Sequence, residues 1–536
     1  MEPSVAAGVA VVEALLSAGV QRIVLSPGSR SAPLARAVAA LEASGVVDLS
    51  VRVDERSAGF LALGMAKAGT SPVAVMCTSG TAVANLMPAA VEARYAGVPL
   101  VIVTADRPPE LRGRGASQTI DQVGFFDHVV VGSRDLAVPE DAEWSASPVV
   151  DLVQMAVRTR APVHLNIPFR PPLVGALERS HSASPPGAIT ALAATSSSNS
   201  AAPDPEVTRR SAPALAGAAR GAFLVGDLDV GDDGVRRWIH DVADECGWPI
   251  VAEASSGILG QPGVVPGGTA MLSDPVRREQ LRADLVVTVG PFGLDRGVLA
   301  WVRSAQRHVA IRLRPRTDPP DPLATAEVVV DHIPSLTAVT PDPSWRSAWN
   351  HDVPAPLLSW SPEAVAATVW RQMERDDLLV VASSTAVRAL AAAARGPGPK
   401  VIANRGANGI DGLVSTAWGA ADVCSGRTVA LLGDLAFLHD TNGLLVPAAE
   451  PRPDLTFVVV DNNGGGIFAS LEQGAAQYAD TFERVFATPH DRDLVDILAA
   501  HQVPAGVVTD TDTLADALTG GSGVRAVVAR LPRGQF

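Results

Sequence analysis

A chain of 536 residues is too long for one hydrophobic core, and roughly two to four domains are expected. Its 47% apolar and 19% charged residues exclude a disordered chain, and its net charge of −14 argues against a nucleic-acid surface, so any anionic substrate needs locally clustered arginines. Three widely spaced cysteines (Cys77, Cys246, Cys424), no basic-then-apolar leader and no uncharged run of membrane-spanning length lead us to expect a reduced cytoplasmic protein without a membrane span.

Residues 3–19 read as an amphipathic helix ended by Gly19. Strand-like runs follow at 22–26, 48–53, 73–77, 99–104 and 163–167, with helical patterns at 57–68 and 81–95. Strands alternating with helices imply a parallel, doubly wound sheet, and this first domain closes near residue 180. Residues 181–215 are rich in Ser, Ala and Pro without an apolar period, which is linker composition. A second set of strands is expected at 222–226, 249–253, 284–289, 307–312 and 326–330, ending in Pro-rich text at 314–322 and 340–356. A helix at 362–374 opens the third set, with strands at 378–382, 400–403, 428–432, 455–460 and 524–530. The fold class is therefore α/β, with three doubly wound parallel-sheet domains: 1–180, 216–350 and 351–536.

The chemistry centres on Thr428–Phe468. Ligands of open parallel sheets sit beyond the carboxyl ends of strands. Here one such end carries Asp434, and the next carries Asp461, Asn462, Asn463 and a glycine-rich backbone. A phosphate loop of the Gly-Lys-Ser/Thr kind occurs nowhere in the chain. Hard oxygen donors without a lysine suit Mg²⁺ completed by phosphate oxygens. Asp434 and Asn462 lie 28 residues apart, so one metal could link two adjacent strand ends and anchor a diphosphate. Two ordinary βα turns would show the same Asp, Asn and Gly. Upstream, Glu55 follows a strand-like run and opens a helix, where an acid is favoured by the macrodipole alone.

The Gly433-Asp434 to Asn462-Asn463 spacing resembles the diphosphate-binding motif of thiamine-diphosphate enzymes, although that family usually has a glycine where this chain has Leu435. The resemblance implies the decarboxylase-like order of pyrimidine, central and pyrophosphate domains, with thiamine diphosphate and Mg²⁺ (Mn²⁺ as the alternative ion) as cofactors. Asp434, Asn462 and the Gly464 carbonyl would hold the metal, and Gly433 and Leu435 would flank the cofactor. Glu55 would hydrogen-bond the aminopyrimidine and promote the tautomer that removes the thiazolium C2 proton. A carboxylate is needed because it must share a proton with the ring nitrogen. The two cofactor ends bind different domains, usually of two subunits, which implies a homo-oligomer with active sites between subunits.

Four further stretches narrow the resemblance: Ser26–Ser31 (SPGSRS), Thr78–Asn85 (TSGTAVAN), Thr104–Leu111 (TADRPPEL) and Asn404–Gly412 (NRGANGIDG). With Asn462–Phe468 they look like the 2-succinyl-5-enolpyruvyl-6-hydroxy-3-cyclohexene-1-carboxylate synthases of menaquinone biosynthesis. That resemblance implies decarboxylation of 2-oxoglutarate and 1,4-addition of the succinyl-semialdehyde unit to isochorismate. Both substrates are dicarboxylates, and arginine forks match carboxylate geometry. By resemblance Ser384, Arg388 and Arg405 hold the succinyl carboxylate, while Ser29, Arg30, Arg107 and Gln118 face isochorismate. Ile467, Phe468 and Leu471 form an apolar wall, and Ile410 supports the bent cofactor. Each arginine taken singly also fits a locally paired surface residue. Two positions depart from the family pattern: Ser117 stands where Asn is usual, and Arg296-Gly297 stands where two basic residues are usual. Another thiamine-dependent carboligase, such as an acetohydroxyacid synthase, or a non-catalytic relative remain the alternatives.

Overall fold

Runs such as Val73–Cys77 and Leu455–Asp461 are buried at every position, which is what central parallel strands covered by helices on both faces require. The computed structural model describes residues 1–69, 71–140, 144–177, 218–313, 320–331, 333–334, 340–350 and 359–533. The expected linker 181–215 lies outside the described residues, as do parts of the Pro-rich stretches 314–322 and 340–356.

Among the described residues there are three sheets, and every strand pairing in them is parallel. The first comprises β1 (Arg22–Leu25), β2 (Asp48–Val51), β3 (Val73–Cys77), β4 (Leu100–Asp106), β5 (Ser133–Asp135) and β6 (Val163–Pro168), in the order β2-β1-β3-β4-β6-β5. The second comprises β7 (Gly221–Val225), β8 (Ile250–Ala252), β9 (Leu285–Val289), β10 (Arg307–Ile311) and β11 (Val328–Val330), in the order β11-β10-β9-β7-β8. The third comprises β12 (Leu378–Val381), β13 (Lys400–Ile402), β14 (Thr428–Gly433), β15 (Leu455–Asp461), β16 (Ala505–Val508) and β17 (Val524–Arg530), in the order β13-β12-β14-β15-β17-β16. The α/β, parallel-sheet class expected from the strand–helix alternation holds. Two strands had no expectation, β5 and β16. The single helix expected over 81–95 is two, Thr81–Asn85 and Met87–Ala96, because Pro88 lacks the N–H that would continue the first.

By compactness the chain forms two units. One contains Met1–Asn199, Gly406–Val423 and His439–Pro453; the other contains Ser200–Arg405, Cys424–Leu438 and Asp454–Phe536. Within the first unit, helix Glu55–Ala68 is backed by helix Leu413–Val423 at very short range. A Cβ on Gly64 would lie 2.1 Å from the Thr416 carbonyl oxygen, and one on Gly419 would lie 2.0 Å from that of Leu61. Glycine at both crossing points therefore sets the seat of the helix that carries Glu55. Gly64→Val is expected to destabilise this unit by about 1–3 kcal/mol, since the obstructing atom is backbone and cannot rotate away. A urea midpoint equal to wild type would show that the two helices do not need this separation.

Candidate active site

The strongest constellation lies where β14 and β15 end side by side, Gly433 being in register with Val460. Asp434, the first residue of helix Asp434–His439, is buried, and its Oδ2 accepts the backbone N–H groups of Gly464 (2.8 Å) and Asn462 (3.2 Å). Its Oδ1 accepts the N–H of Leu435 at 2.6 Å. Burial raises the Asp434 carboxyl above its ordinary range, against the lowering effect of the Gly464 and Leu435 N–H bonds. The Asn462 carboxamide faces the Gly464 carbonyl oxygen at 2.8 Å and Asp434 Oδ2 at 3.3 Å. Turned one way, its NH₂ donates to both. Turned the other way, three oxygens converge with no proton between them, and that arrangement asks for a cation. The donor set is the all-oxygen kind that suits Mg²⁺. The residues therefore fit the metal that the spacing suggested.

Asn463 ties this loop to a later segment. Its φ of +56° lies in the left-handed region, and its Oδ1 accepts the N–H groups of His490 (3.0 Å) and Asp491 (2.9 Å). His490 Nε2 consequently lies 3.3 Å from Asp434 Oδ2 and 3.7 Å from Asp461 Oδ1. Asp434, Asp461 and His490 thus form a second ligand-competent cluster around the same carboxylate. No histidine belongs to the motifs read from the sequence, and nothing in the local text around His490 signals this role. A cavity of about 310 Å³ adjoins the site, lined by residues including Asn462, Gly464, Gly466, Phe482 and Arg533. Ile467, Phe468 and Leu471, on and after the short helix Gly466–Ser470, are half-buried rather than core, which leaves apolar surface available for a wall. Gly433 has open space where a Cβ would stand.

The same unit holds the expected succinyl-carboxylate residues together. Ser384 precedes helix Thr385–Ala393 with φ +72°, a costly backbone state for a non-glycine residue. One turn on, Arg388 donates from Nη1 to the Ser384 carbonyl at 2.7 Å and from Nη2 to the Leu294 carbonyl at 2.5 Å. Arg405, just beyond β13, is buried, and its Nη2 lies 3.3 Å from Glu253 Oε2. Desolvation lowers the pKa of Arg388, with Asp295 opposing and the like charge of Arg405 adding to the lowering. Glu253 is a contributor that sequence reading did not single out.

The first unit gathers the other expected residues. Glu55 is half-buried at the first position of its helix, behind an N-cap in which Asp54 accepts the N–H groups of Arg56 (2.8 Å) and Ser57 (3.3 Å). Asn85, the last residue of the TSGTAVAN stretch, donates to Glu55 Oε2 at 3.3 Å and so orients the carboxylate. At the end of β4, Arg107 donates to Ser79 Oγ (2.6 Å) and to the Ser117 carbonyl (3.0 Å). Gln118, with φ +53°, donates from Nε2 to the Ser79 carbonyl at 3.1 Å. Arg30 donates from Nη1 to the Phe169 carbonyl at 2.6 Å, while its buried Nε has no acceptor among the described residues. Burial and then the like charge of Arg107 lower the Arg30 pKa, against Asp106. Beneath them the fully buried Asp106 accepts the Arg107 N–H at 2.6 Å and lies 2.8 Å from Arg112 Nη2, pinning the backbone that presents Arg107. Ser29 is exposed beside this pair, and Ile410 is 37% exposed.

Comparison with known proteins points the same way. The thiamine pyrophosphate enzyme N-terminal binding domain matches residues 6–125, and the corresponding C-terminal binding domain matches residues 384–526. A 2-succinyl-5-enolpyruvyl-6-hydroxy-3-cyclohexene-1-carboxylate synthase of Saccharopolyspora erythraea is 38% identical over 100% of this chain and 97% of its own. Synthases of the same name from Rhodococcus erythropolis (39% identical; 97% and 94% covered) and Thermobifida fusca (38%; 99% and 97%) are similar throughout as well. With matches of that identity running the length of both chains, this chain belongs to the 2-succinyl-5-enolpyruvyl-6-hydroxy-3-cyclohexene-1-carboxylate synthase family of thiamine-pyrophosphate enzymes.

Proposed function

We propose that this enzyme decarboxylates 2-oxoglutarate and adds the resulting succinyl-semialdehyde unit 1,4 to isochorismate, a step of menaquinone biosynthesis that releases CO₂. One observation carries the reading: two partly buried arginine pairs at strand ends, Arg30 with Arg107 held on Ser79, and Arg388 with Arg405 held on the Leu294 carbonyl and Glu253, with burial lowering the pKa of Arg30 and of Arg388. Such pairs are stabilised by a bound carboxylate, and the two substrates are both dicarboxylates. Smaller or less charged keto acids would leave one pair without a substrate carboxylate, which disfavours an acetohydroxyacid synthase-like activity.

In this reading Asp434, Asn462 and the Gly464 carbonyl would hold Mg²⁺, with Mn²⁺ as the alternative, and Gly433 and Leu435 would flank the diphosphate. Thiamine diphosphate, when bound, supplies an electron sink for the decarboxylation. Glu55, oriented by Asn85, would hold a proton toward its aminopyrimidine, and Ile410 would stand against it. Ser384, Arg388 and Arg405 orient the succinyl carboxylate. Ser29, Arg30, Arg107 and Gln118 orient isochorismate, and Ile467, Phe468 and Leu471 keep water from the reacting carbon. The corresponding regions are a pyrimidine domain (1–180), a central domain (216–350) and a pyrophosphate domain (351–536), acting in a cytoplasmic homo-oligomer with active sites between subunits. Among the described residues no helix is long and apolar enough to cross a membrane.

The division of arginines is testable. Removing one fork leaves a carboxylate short of charge-assisted bonds, which costs about 2–5 kcal/mol at a desolvated site. Arg405→Ala is expected to impair CO₂ release from 2-oxoglutarate even without isochorismate. Arg107→Ala is expected to leave that release nearly intact and to suppress formation of the adduct, read by mass spectrometry of products. Equal loss of CO₂ release in both variants would show that the arginines serve one carboxylate pocket.

A further inference from the structure

Glu253 stands at the carboxyl end of β8, in the second sheet, outside every motif that suggested the chemistry. It is 0% exposed, and a buried carboxylate is tolerated only when it is paired and hydrogen-bonded. Both of its oxygens are engaged. Oε1 accepts the backbone N–H groups of Gly293 and Leu294, each at 2.9 Å. Oε2 lies 3.3 Å from Nη2 of Arg405, whose side chain is only 6% exposed. The same loop then reaches the second arginine, because the Leu294 carbonyl accepts Nη2 of Arg388 at 2.5 Å.

One carboxylate therefore acts on both forks, on Arg405 directly and on Arg388 through the two-residue loop it holds. We propose that Glu253 is a positioning residue that sets Arg405 and Arg388 for the distal carboxylate of the keto-acid substrate, and so determines its selectivity for a dicarboxylate. This rests on the assignment of those arginines to 2-oxoglutarate made above. A planar guanidinium has five donors, so its geometry allows it to hold Glu253 along one edge and a substrate carboxylate along another. The neighbouring negative charge also keeps two close arginines from repelling one another out of alignment. The carboxylate need not touch the substrate to do this.

The test compares 2-oxoglutarate with 2-oxopentanoate, which has the same chain length and a methyl group in place of the distal carboxylate. The readout is kcat/KM for CO₂ release from each, with thiamine diphosphate and Mg²⁺ saturating. Glu253→Gln keeps the shape and one acceptor for the loop but presents no charge to Arg405. It should cut the preference for 2-oxoglutarate by about tenfold or more, the loss of one hydrogen bond to a charged group, and leave 2-oxopentanoate turnover unchanged. Glu253→Asp, which keeps the charge on a shorter arm, should recover part of the preference and serves as the second variant if the first does not fold. Cofactor affinity by calorimetry and the melting temperature should match wild type in the variant used. A variant that keeps the wild-type preference, or loses both activities equally, overturns the proposal while leaving the functional reading in place. A wild-type enzyme with no preference for 2-oxoglutarate over 2-oxopentanoate overturns both.

Discussion

Asp434→Ala is expected to abolish tight thiamine-diphosphate binding. The Asp434 carboxylate is buried between two strand ends, accepts the Asn462 and Gly464 N–H groups, and supplies one of three oxygens that converge around the Asn462 carboxamide. Removing it takes away the only carboxylate of the proposed oxygen triad, and it frees the loop that presents the other two. Loss of a group that merely orients a metal ligand typically costs 10–100-fold, so loss of the ligand itself should exceed about 100-fold in affinity. Calorimetric titration of thiamine diphosphate at fixed Mg²⁺ measures this directly. Asp434→Asn is the companion variant, since it preserves an acceptor for the loop and removes only the charge. Unchanged cofactor affinity in both variants would remove Asp434 from the metal site and leave it as a loop anchor.

Glu55→Gln should separate cofactor binding from cofactor activation. The amide keeps the volume, the helix-start position and an acceptor for the Asn85 donor. It cannot share a proton with a pyrimidine nitrogen. Thiamine diphosphate is therefore expected to bind with near-normal affinity while exchange of its C2 proton slows by about 10²-fold or more, the usual cost of losing an acid–base partner. Exchange followed by NMR in deuterated buffer gives the rate. A wild-type rate in the variant would show that Glu55 only favours the start of its helix. Ordinary turnover assays alone would not discriminate, because a displaced helix lowers turnover too.

Much of the fold was legible because central parallel strands are buried on both faces and must be continuous apolar runs. Val73–Cys77, Leu285–Val289 and Leu455–Asp461 are of this kind, and each forms a strand buried along its whole length. The strands β5 and β16 escaped because they close the edges of their sheets, where Ser133–Asp135 and Gly506–Val507 are largely exposed and need no apolar run. The placing of Asp434 and Asn462 at strand ends was legible for a related reason. The strands that carry them, β14 and β15, are sheet neighbours, so the 28-residue crossover between Asp434 and Asn462 brings consecutive strand ends together. Glu55, the arginines, Gln118 and Ser384 were named through motif resemblance, and what the folded chain adds is their orientation: Asn85 on Glu55, Ser79 and Ser117 on Arg107, Leu294 on Arg388.

Two residues could not have been found from the linear text. His490 reaches Asp434 only because Asn463 bends backwards and clasps the His490 N–H, and Glu253 reaches Arg405 across 152 residues and two different sheets. The sequence by itself determined the buried central strands and which residues stand at their adjacent ends, since burial periodicity and short crossovers are local properties. Only the tertiary structure decided which distant charges meet, because a buried carboxylate such as Glu253 is specified by the partner that compensates its desolvation, and that partner has no fixed distance along the chain.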